Sequence, residues 1–212
     1  MTRFGNASHN GAILYQGPSR IDGREIVVIV TGLKSGSTNQ KTGDLLMTHI
    51  LVASESPTSA VASGKDSSVC GGCVHRRRWS KSLKRFVRSC YVNIGKAQNG
   101  IWKAFANGKY PAIDWEVFQV VASGMLGRLG TKPLAGWTGY THQASNPKLR
   151  DVLKYCQISA DSLGDALEAS KHGFGSFRVL GQDSPAKQGW EVLCPASAEA
   201  GKVAQCDTCL MC

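Results

Sequence analysis

Apolar residues along the chain form short β-branched runs that alternate with stretches of helical spacing. The run EIVVIVT at Glu25–Thr31 is continuous, which is typical of a strand buried on both faces. Shorter runs of the same kind predict strands at Thr48–Val52, Ser89–Ile94, Leu126–Leu129, Trp137–Thr141, Tyr155–Ser159, Phe177–Leu180 and Trp190–Leu193. Polar, turn-forming composition predicts loops at Ser54–Ser68 and Gln182–Gly189.

Helices are predicted mainly where a capping residue precedes an amphipathic stretch. In chain order they are Ile101–Ala106, Trp115–Ser123 after Asp114, a helix that Asn146 and Pro147 open, and a helix from Asp161 or Ser162 to Gly173. Strands and helices alternate in the second half, which favours parallel βαβ units. The predicted fold is α/β with a mostly parallel sheet, either a partial or small (β/α) barrel or an open doubly wound sheet.

Length and composition fit a sizeable hydrophobic core. The chain has 212 residues, of which 42% are hydrophobic. We expect an α/β domain over 1–193 with an insertion at 70–90, and a cysteine-rich tail over 194–212. No run of roughly 18 apolar residues occurs, so no transmembrane helix is expected. The N-terminus lacks the apolar core of a secretory signal, which favours the cytoplasm.

Positive charge is concentrated in one segment. The net charge is +10, and seven of the 25 lysines and arginines lie between Cys73 and Cys90, where no acidic residue occurs. Helical spacing over 77–88 would place the cations on one face and Trp79, Leu83 and Phe86 on the other, packed face. Such a ridge favours contact with DNA or RNA; an acidic protein partner and a solvated surface are the alternatives. The residues assigned to nucleic-acid binding are Arg76, Arg77, Arg78, Lys81, Lys84, Arg85 and Arg88.

The eight cysteines are clustered, and in a reducing cell such clusters favour metal over disulfides. The predicted ligands form two groups: Cys70, Cys73 and Cys90, and Cys194, Cys206, Cys209 and Cys212. The second group suits either a [4Fe-4S] cluster or a structural zinc ion. The first has three sulfurs, so His75 is the fourth ligand, or the fourth position is open, or the two groups share ligands. Cys156 is expected to be a core residue.

Polar side chains follow two of the predicted strands. His142 and Asp161 lie at or just past strand ends, where α/β proteins carry their chemistry. His142 is a candidate catalytic base and Asp161 the acid that orients it. The alternatives are a surface histidine and a helix N-cap.

Four stretches together resemble a family of uncharacterised tailed-bacteriophage proteins. They are CGGCVHR (Cys70–Arg76), SCYVNIG (Ser89–Gly95), TGYTHQ (Thr138–Gln143) and CPASAEAGKVAQCDTCLMC (Cys194–Cys212). The resemblance implies a viral origin and hence the host cytoplasm, and it implies no activity.

The sequence therefore supports three functions. The first is a phage metalloprotein that contacts nucleic acid through a basic helix. The second is an iron–sulfur or zinc enzyme that acts on a nucleotide or a nucleic acid, and the third is an inhibitor of a host protein.

Overall fold

The structure, a computed structural model, describes residues 9–36, 41, 43, 45–90, 92–113, 139–181, 187–201 and 203–209. It is a mixed α/β protein that divides into two compact units. The first unit is Met1–Ser35 with Leu46–Met125, and the second is Gly36–Leu45 with Leu126–Cys212. The boundary expected at residue 194 falls inside the second unit.

The first unit is organised around an antiparallel sheet of three strands in the order β1-β2-β3. The strands are β1 (Gly11–Pro18), β2 (Glu25–Thr31) and β3 (Met47–Val52). Strand β2 lies in the centre, and its continuous apolar run is buried on both faces, as predicted. Val27 and Ile29 pack on one face and Val30 on the other, because successive side chains of a strand alternate.

The described residues of the first unit also form the helices α1 (Pro57–Ser63), α2 (Ser67–Cys70) and α3 (Ala97–Ala106). Helix α3 covers the Val27 face through Ile101, Trp102 and Phe105. The Trp102 indole N–H also donates to the Val52 carbonyl at 3.1 Å. Helix α2 packs on β2 and β3, which holds its C-terminal residue, Cys70, against the sheet.

The basic segment is a hairpin, so the predicted helix over 77–88 is wrong. Strands β4 (Arg78–Ser80) and β5 (Arg85–Val87) pair antiparallel around a turn at 81–84. The Ser80 hydroxyl accepts from the Leu83 N–H at 3.2 Å, and Lys84 adopts φ +48°. A residue with a positive φ cannot continue a right-handed helix, so the chain turns at Lys84 and does not form a helix over 77–88. We name residues 77–88 the basic hairpin.

The second unit contains a parallel sheet of three strands in the order β6-β7-β8. The strands are β6 (Tyr140–Thr141), β7 (Gln157–Ala160) and β8 (Ser176–Arg178). A 3-10 helix (Pro147–Lys154) connects β6 to β7, and α4 (Leu163–Lys171) connects β7 to β8. Asn146 and Ser162 cap these helices as predicted, each accepting a backbone N–H at 3.1 Å. A short helix, α5 (Cys206–Cys209), follows.

Several predictions of architecture were wrong. The sheets of the described residues are small, one of them is parallel, and they form no barrel. Strand β1 was not predicted, and Ser54–Ser68 contains helix α1 rather than a loop. No strand occurs among the described residues of Ser89–Ile94 or at Trp190–Leu193. The predicted elements Trp115–Ser123 and Leu126–Leu129 lie outside the described residues.

Candidate nucleic-acid interface and thiol cluster

The base of the basic hairpin is built on the Cys70-Gly-Gly-Cys73 turn. The Cys73 N–H donates to the Cys70 carbonyl at 3.2 Å, which closes the turn. Gly71 has φ +56° and ψ −131°, a conformation that side chains with a Cβ rarely adopt. A glycine is therefore required at this point of the turn.

The other end of the hairpin returns to the same place. The Cys90 N–H donates to the His75 carbonyl at 3.1 Å, and His75 Nδ1 lies 2.8 Å from the Ser89 hydroxyl. These contacts bring Cys90 back towards the turn that carries Cys70 and Cys73. The three predicted ligands of the first group thus share one neighbourhood, although residues 74–89 separate them in sequence.

The Cys70 thiol lies close enough to Cys73 and Cys90 for their charges to affect it. Burial, the largest cause, together with the charges of Asp66, Cys73 and Cys90, raises the pKa of the Cys70 thiol to about 11. Arg76 has a smaller, opposing effect on this pKa. Thiolates are the ligands that zinc and iron–sulfur centres use, and a cation among the sulfurs would offset this repulsion.

The sulfurs are not gathered at zinc distances. Tetrahedral Zn–S bonds of about 2.3 Å require sulfurs roughly 3.8 Å apart. No three cysteine sulfurs in the described part of the chain lie within 4.8 Å of one another. We name Cys70, Cys73 and Cys90 the thiol cluster.

The Arg76 side chain connects the Cys70–Cys73 turn to neighbouring backbone and to a carboxylate. Its guanidinium contacts both carboxylate oxygens of Asp66, with Nε at 3.0 Å from Oδ2, and donates to the Gly71 and Gly64 carbonyls at 2.9 and 2.8 Å. Arg88 likewise donates to the Cys90 and Val92 carbonyls at 3.1 and 2.9 Å. Both side chains therefore stabilise the backbone next to the hairpin.

Four further cations of the hairpin face water. Arg78, Lys81, Lys84 and Arg85 are exposed, and none of their side chains has a hydrogen-bond or ion-pair partner among the described residues. Arg78 and Arg85 lie on neighbouring strands, and the two lysines lie in the turn. The hairpin itself contributes no carboxylate to this surface, because residues 74–89 include no Asp or Glu. We name these four residues the cationic set.

Two aromatic residues lie across the hairpin from each other. Trp79 and Phe86 are cross-strand partners with ring centroids 5.2 Å apart in an edge-to-face arrangement. The guanidinium carbon of Arg77 lies 3.7 Å from the centre of the Phe86 ring. Helical spacing had assigned both aromatics to a packed face, whereas both are exposed. The alternation in Arg78-Trp79-Ser80 and Arg85-Phe86-Val87 around a serine-rich turn was the signal for a hairpin.

The second cysteine group lies in the second unit. Cys206 and Cys209 are the ends of α5, and the Cys206 N–H donates to the Lys41 carbonyl at 2.9 Å. Cys194 precedes them in an extended stretch, and Cys212 lies outside the described residues. Cys194, Cys206 and Cys209 are partly buried, and none of them is in a disulfide among the described residues. Their three sulfurs do not all lie within 4.8 Å of one another.

His142 and Asp161 meet at one edge of the parallel sheet. His142 directly follows β6 and Asp161 directly follows β7, and parallel strands end at the same edge. His142 Nε2 lies 3.1 Å from Asp161 Oδ1. The N-cap is Ser162, so Asp161 does not cap the helix. If Nε2 carries the proton towards Asp161, the lone pair of the imidazole resides on Nδ1, which is the arrangement of an oriented base.

Comparison with known proteins adds no relative: no family model, no curated sequence and no solved structure matches the chain. Within the described ranges, every helix is too short or too polar to cross a lipid bilayer.

Proposed function

We propose that this protein binds nucleic acid through the basic hairpin, and that the thiol cluster binds a metal ion at the base of that hairpin. The observation that carries the proposal is the cationic set: four exposed positive side chains on one small hairpin, without a partner among the described residues. Phosphate groups supply the missing counter-charge, and each phosphate contact releases condensed counterions.

Contacts at the base of the basic hairpin keep the cationic set in position. Cys90 pairs with His75, and Arg76 connects the Cys70–Cys73 turn to Asp66. The strands of the hairpin are short, and an isolated pair of short strands is marginal in water. A metal at the thiol cluster would therefore stabilise the hairpin from its base and lower the entropic cost of binding.

Charge reversal tests nucleic-acid binding. The variant Lys81→Glu with Lys84→Glu and Arg85→Glu is expected to abolish binding of labelled DNA and RNA in fluorescence anisotropy. In the wild type, log K should fall as log salt rises, with a slope of about 0.7–0.9 per phosphate contact. The matched control reverses three exposed cations elsewhere, Lys109, Arg150 and Lys154, and changes the net charge equally. Salt-independent binding, or equal loss in both variants, would contradict the proposal.

Elemental analysis of protein purified without oxygen tests the metal. We expect bound zinc or iron in the wild type, with broad visible absorbance only for iron–sulfur. Cys73→Ser and Cys90→Ser should each lose the metal of the thiol cluster. Cys156→Ser, the control, should keep it, because Cys156 lies in the other unit. Metal-free protein with three titratable thiols in 70–90 would refute this part alone.

A second candidate function rests on the pair of His142 and Asp161. A histidine oriented by a carboxylate at the carboxyl edge of a parallel sheet suits proton transfer, so the alternative is an enzyme acting on a nucleotide or a nucleic acid. The test is release of phosphate or cleavage of labelled oligonucleotides. His142→Ala should lower the rate by about 10²–10⁴-fold.

A matched control exists on helix α4. His172 Nε2 lies 3.0 Å from Glu168 Oε1, which is the same kind of pair on an exposed helix face. His172→Ala should leave the rate unchanged. Equal rates for the two alanine variants would exclude the enzymatic function. The bacteriophage origin and the inhibition of a host protein stay predictions.

A further inference from the structure

The aromatic pair of the basic hairpin contributes little to a core. Trp79 and Phe86 remain 55% and 52% exposed, although each would gain free energy from full burial. The two core clusters of the first unit pack around the β1-β2-β3 sheet, and neither cluster includes Trp79 or Phe86. The hairpin register places the pair on the face opposite Arg78 and Arg85, because alternate side chains of a strand point to opposite faces.

We infer that Trp79 and Phe86 form a stacking platform for the bases of single-stranded DNA or RNA. This inference rests on the proposed nucleic-acid binding and specifies the form of nucleic acid. In a duplex the base faces are covered by their neighbours, and only base edges are accessible in the grooves. Unpaired bases instead offer their faces, and protein aromatics between basic residues are the usual sites that accept them.

Arg77 makes the platform rigid. Its guanidinium lies 3.7 Å from the centre of the Phe86 ring, and Nη1 donates to the Ala62 carbonyl at 2.9 Å. A guanidinium held over a ring is stabilised by a cation–π interaction, and its plane can itself accept a base. The platform is therefore ordered before a ligand arrives, which reduces the entropy lost on binding.

Part of the cationic set lies beside the platform. Lys81 and Lys84 lie in the turn beyond the ring pair, whereas Arg78 and Arg85 lie on the opposite face of the two strands. A single strand whose bases stack on Trp79 and Phe86 would carry its phosphates past the two lysines, and the two arginines would add to the positive potential of the hairpin. Stacking should supply the preference for single strands, whereas the cations should supply affinity for single strands and duplexes alike.

The experiment compares three ligands at one salt concentration by anisotropy. They are oligo-dT, oligo-rU and a blunt DNA duplex, each of about 20 nucleotides or base pairs, which exceeds the ~4–16 nucleotides that one such site covers. The wild type should bind both single strands more tightly than the duplex. The two single strands distinguish DNA from RNA as the preferred ligand.

Two double variants separate stacking from folding. Trp79→Ala with Phe86→Ala should weaken single-strand binding by about 5- to 150-fold for each ring, and duplex binding by less than about threefold. Trp79→Leu with Phe86→Leu keeps an apolar cross-strand contact but removes both rings, and should lose single-strand affinity to a similar extent. Trp190→Ala, the control, removes an exposed aromatic of the second unit and should bind like the wild type.

The outcomes distinguish base stacking on Trp79 and Phe86 from nucleic-acid binding by the basic hairpin as a whole. Unchanged single-strand affinity in the leucine double variant, or tighter binding of the duplex by the wild type, would overturn the inference while nucleic-acid binding stands. Binding of none of the three ligands by folded wild-type protein would refute the proposed function, and the inference with it.

Discussion

At the scale of single residues, contacts divide the basic side chains into two roles. Arg76 and Arg88 donate to backbone carbonyls, and Arg76 also contacts Asp66. Arg78 and Lys81 are exposed and have no such partner among the described residues. Arg76 and Arg78, only two positions apart, therefore have different roles: the first stabilises the fold and the second presents charge to water.

Arg76→Ala is expected to destabilise the protein. The change would remove the hydrogen bonds to Gly64 and Gly71 and leave the carboxylate of Asp66, only 8% exposed, without its counter-charge. The free energy of unfolding should fall by about 2–4 kcal/mol. Urea denaturation followed by circular dichroism measures the change.

Arg78→Ala is the control for this prediction. Because Arg78 is exposed, its removal should change the free energy of unfolding by less than about 0.5 kcal/mol. The structural role of Arg76 would be rejected if the two alanine variants were equally stable.

At the scale of elements, the basic hairpin illustrates how one sequence pattern can fit two structures. The spacing of its cations fits a helix, yet the same residues form two short strands around a turn. The difference matters because a helix would bury Trp79 and Phe86 under the cations. The hairpin exposes both rings on one face, where they can meet a ligand.

Substitution of Lys84 by glycine tests the hairpin against the helix. Because Lys84 has φ +48°, Lys84→Gly should stabilise the turn by up to about 1 kcal/mol. In a helix the same substitution would lower the free energy of unfolding by about 1 kcal/mol, so the sign of the change distinguishes a hairpin from a helix. Amide hydrogen exchange of the β4 and β5 strands should become slower in Lys84→Gly. Lys84→Val should exchange faster, since β-branched residues tolerate a positive φ poorly.

The central sheet should respond strongly to a cavity. Ile29 in β2 is 0% exposed and packs with Val27 and Leu51, so Ile29→Ala should cost about 2–5 kcal/mol. Ile50 in the neighbouring strand is 49% exposed, and Ile50→Ala should cost much less. Urea midpoints of the two variants provide the measurement. A larger loss for Ile50 would show that the assigned strand faces are inverted.

At the scale of the whole molecule, two units carry separate candidate chemistries. The first unit contains the basic hairpin and the thiol cluster, and the second contains the pair of His142 and Asp161. Electrostatic contacts also stabilise the second unit. The Arg178 guanidinium contacts both carboxylate oxygens of Glu191, at 2.9 and 2.7 Å, and connects β8 to the segment that follows it.

Stability of the second unit should depend on pH through Glu191. The hydrogen bond from Arg178, followed by that from the Gln188 N–H, holds the pKa of Glu191 below its ordinary value of 4.5. A carboxylate with a lowered pKa stabilises the fold above its ordinary value and loses this contribution as the pH falls through the folded pKa. We therefore expect lower protection factors for amide exchange at 176–178 and 187–191, after correction for the intrinsic rate at each pH, once the pH drops below 4.5.

The variant Glu191→Gln provides the comparison. It should exchange faster than the wild type at neutral pH, and its exchange protection should change little between neutral and acidic pH, because no carboxylate remains at that position. The same pH dependence in both proteins would assign the acid sensitivity to another group.

The sequence by itself determined the features that depend on local chemistry. The continuous β-branched run at Glu25–Thr31 predicted a buried strand, because so many adjacent apolar side chains are unfavourable in water. Asn146 and Ser162 predicted helix starts, because a cap needs only neighbours a few residues away. It also indicated the single-sign charge between Cys73 and Cys90. The proximity of His142 and Asp161 followed from the rule that parallel strands end together.

Tertiary structure decided the rest, because it depends on pairing between distant residues. Only the fold shows that β1 joins an antiparallel sheet, that Arg76 pairs with Asp66, and that Cys90 returns to Cys70 and Cys73. The exposure of Trp79 and Phe86 likewise depends on the turn between them, where the backbone at Lys84 reverses direction. Sequence periodicity records which side chains can share a face, whereas long-range packing decides whether that face meets the core or the solvent.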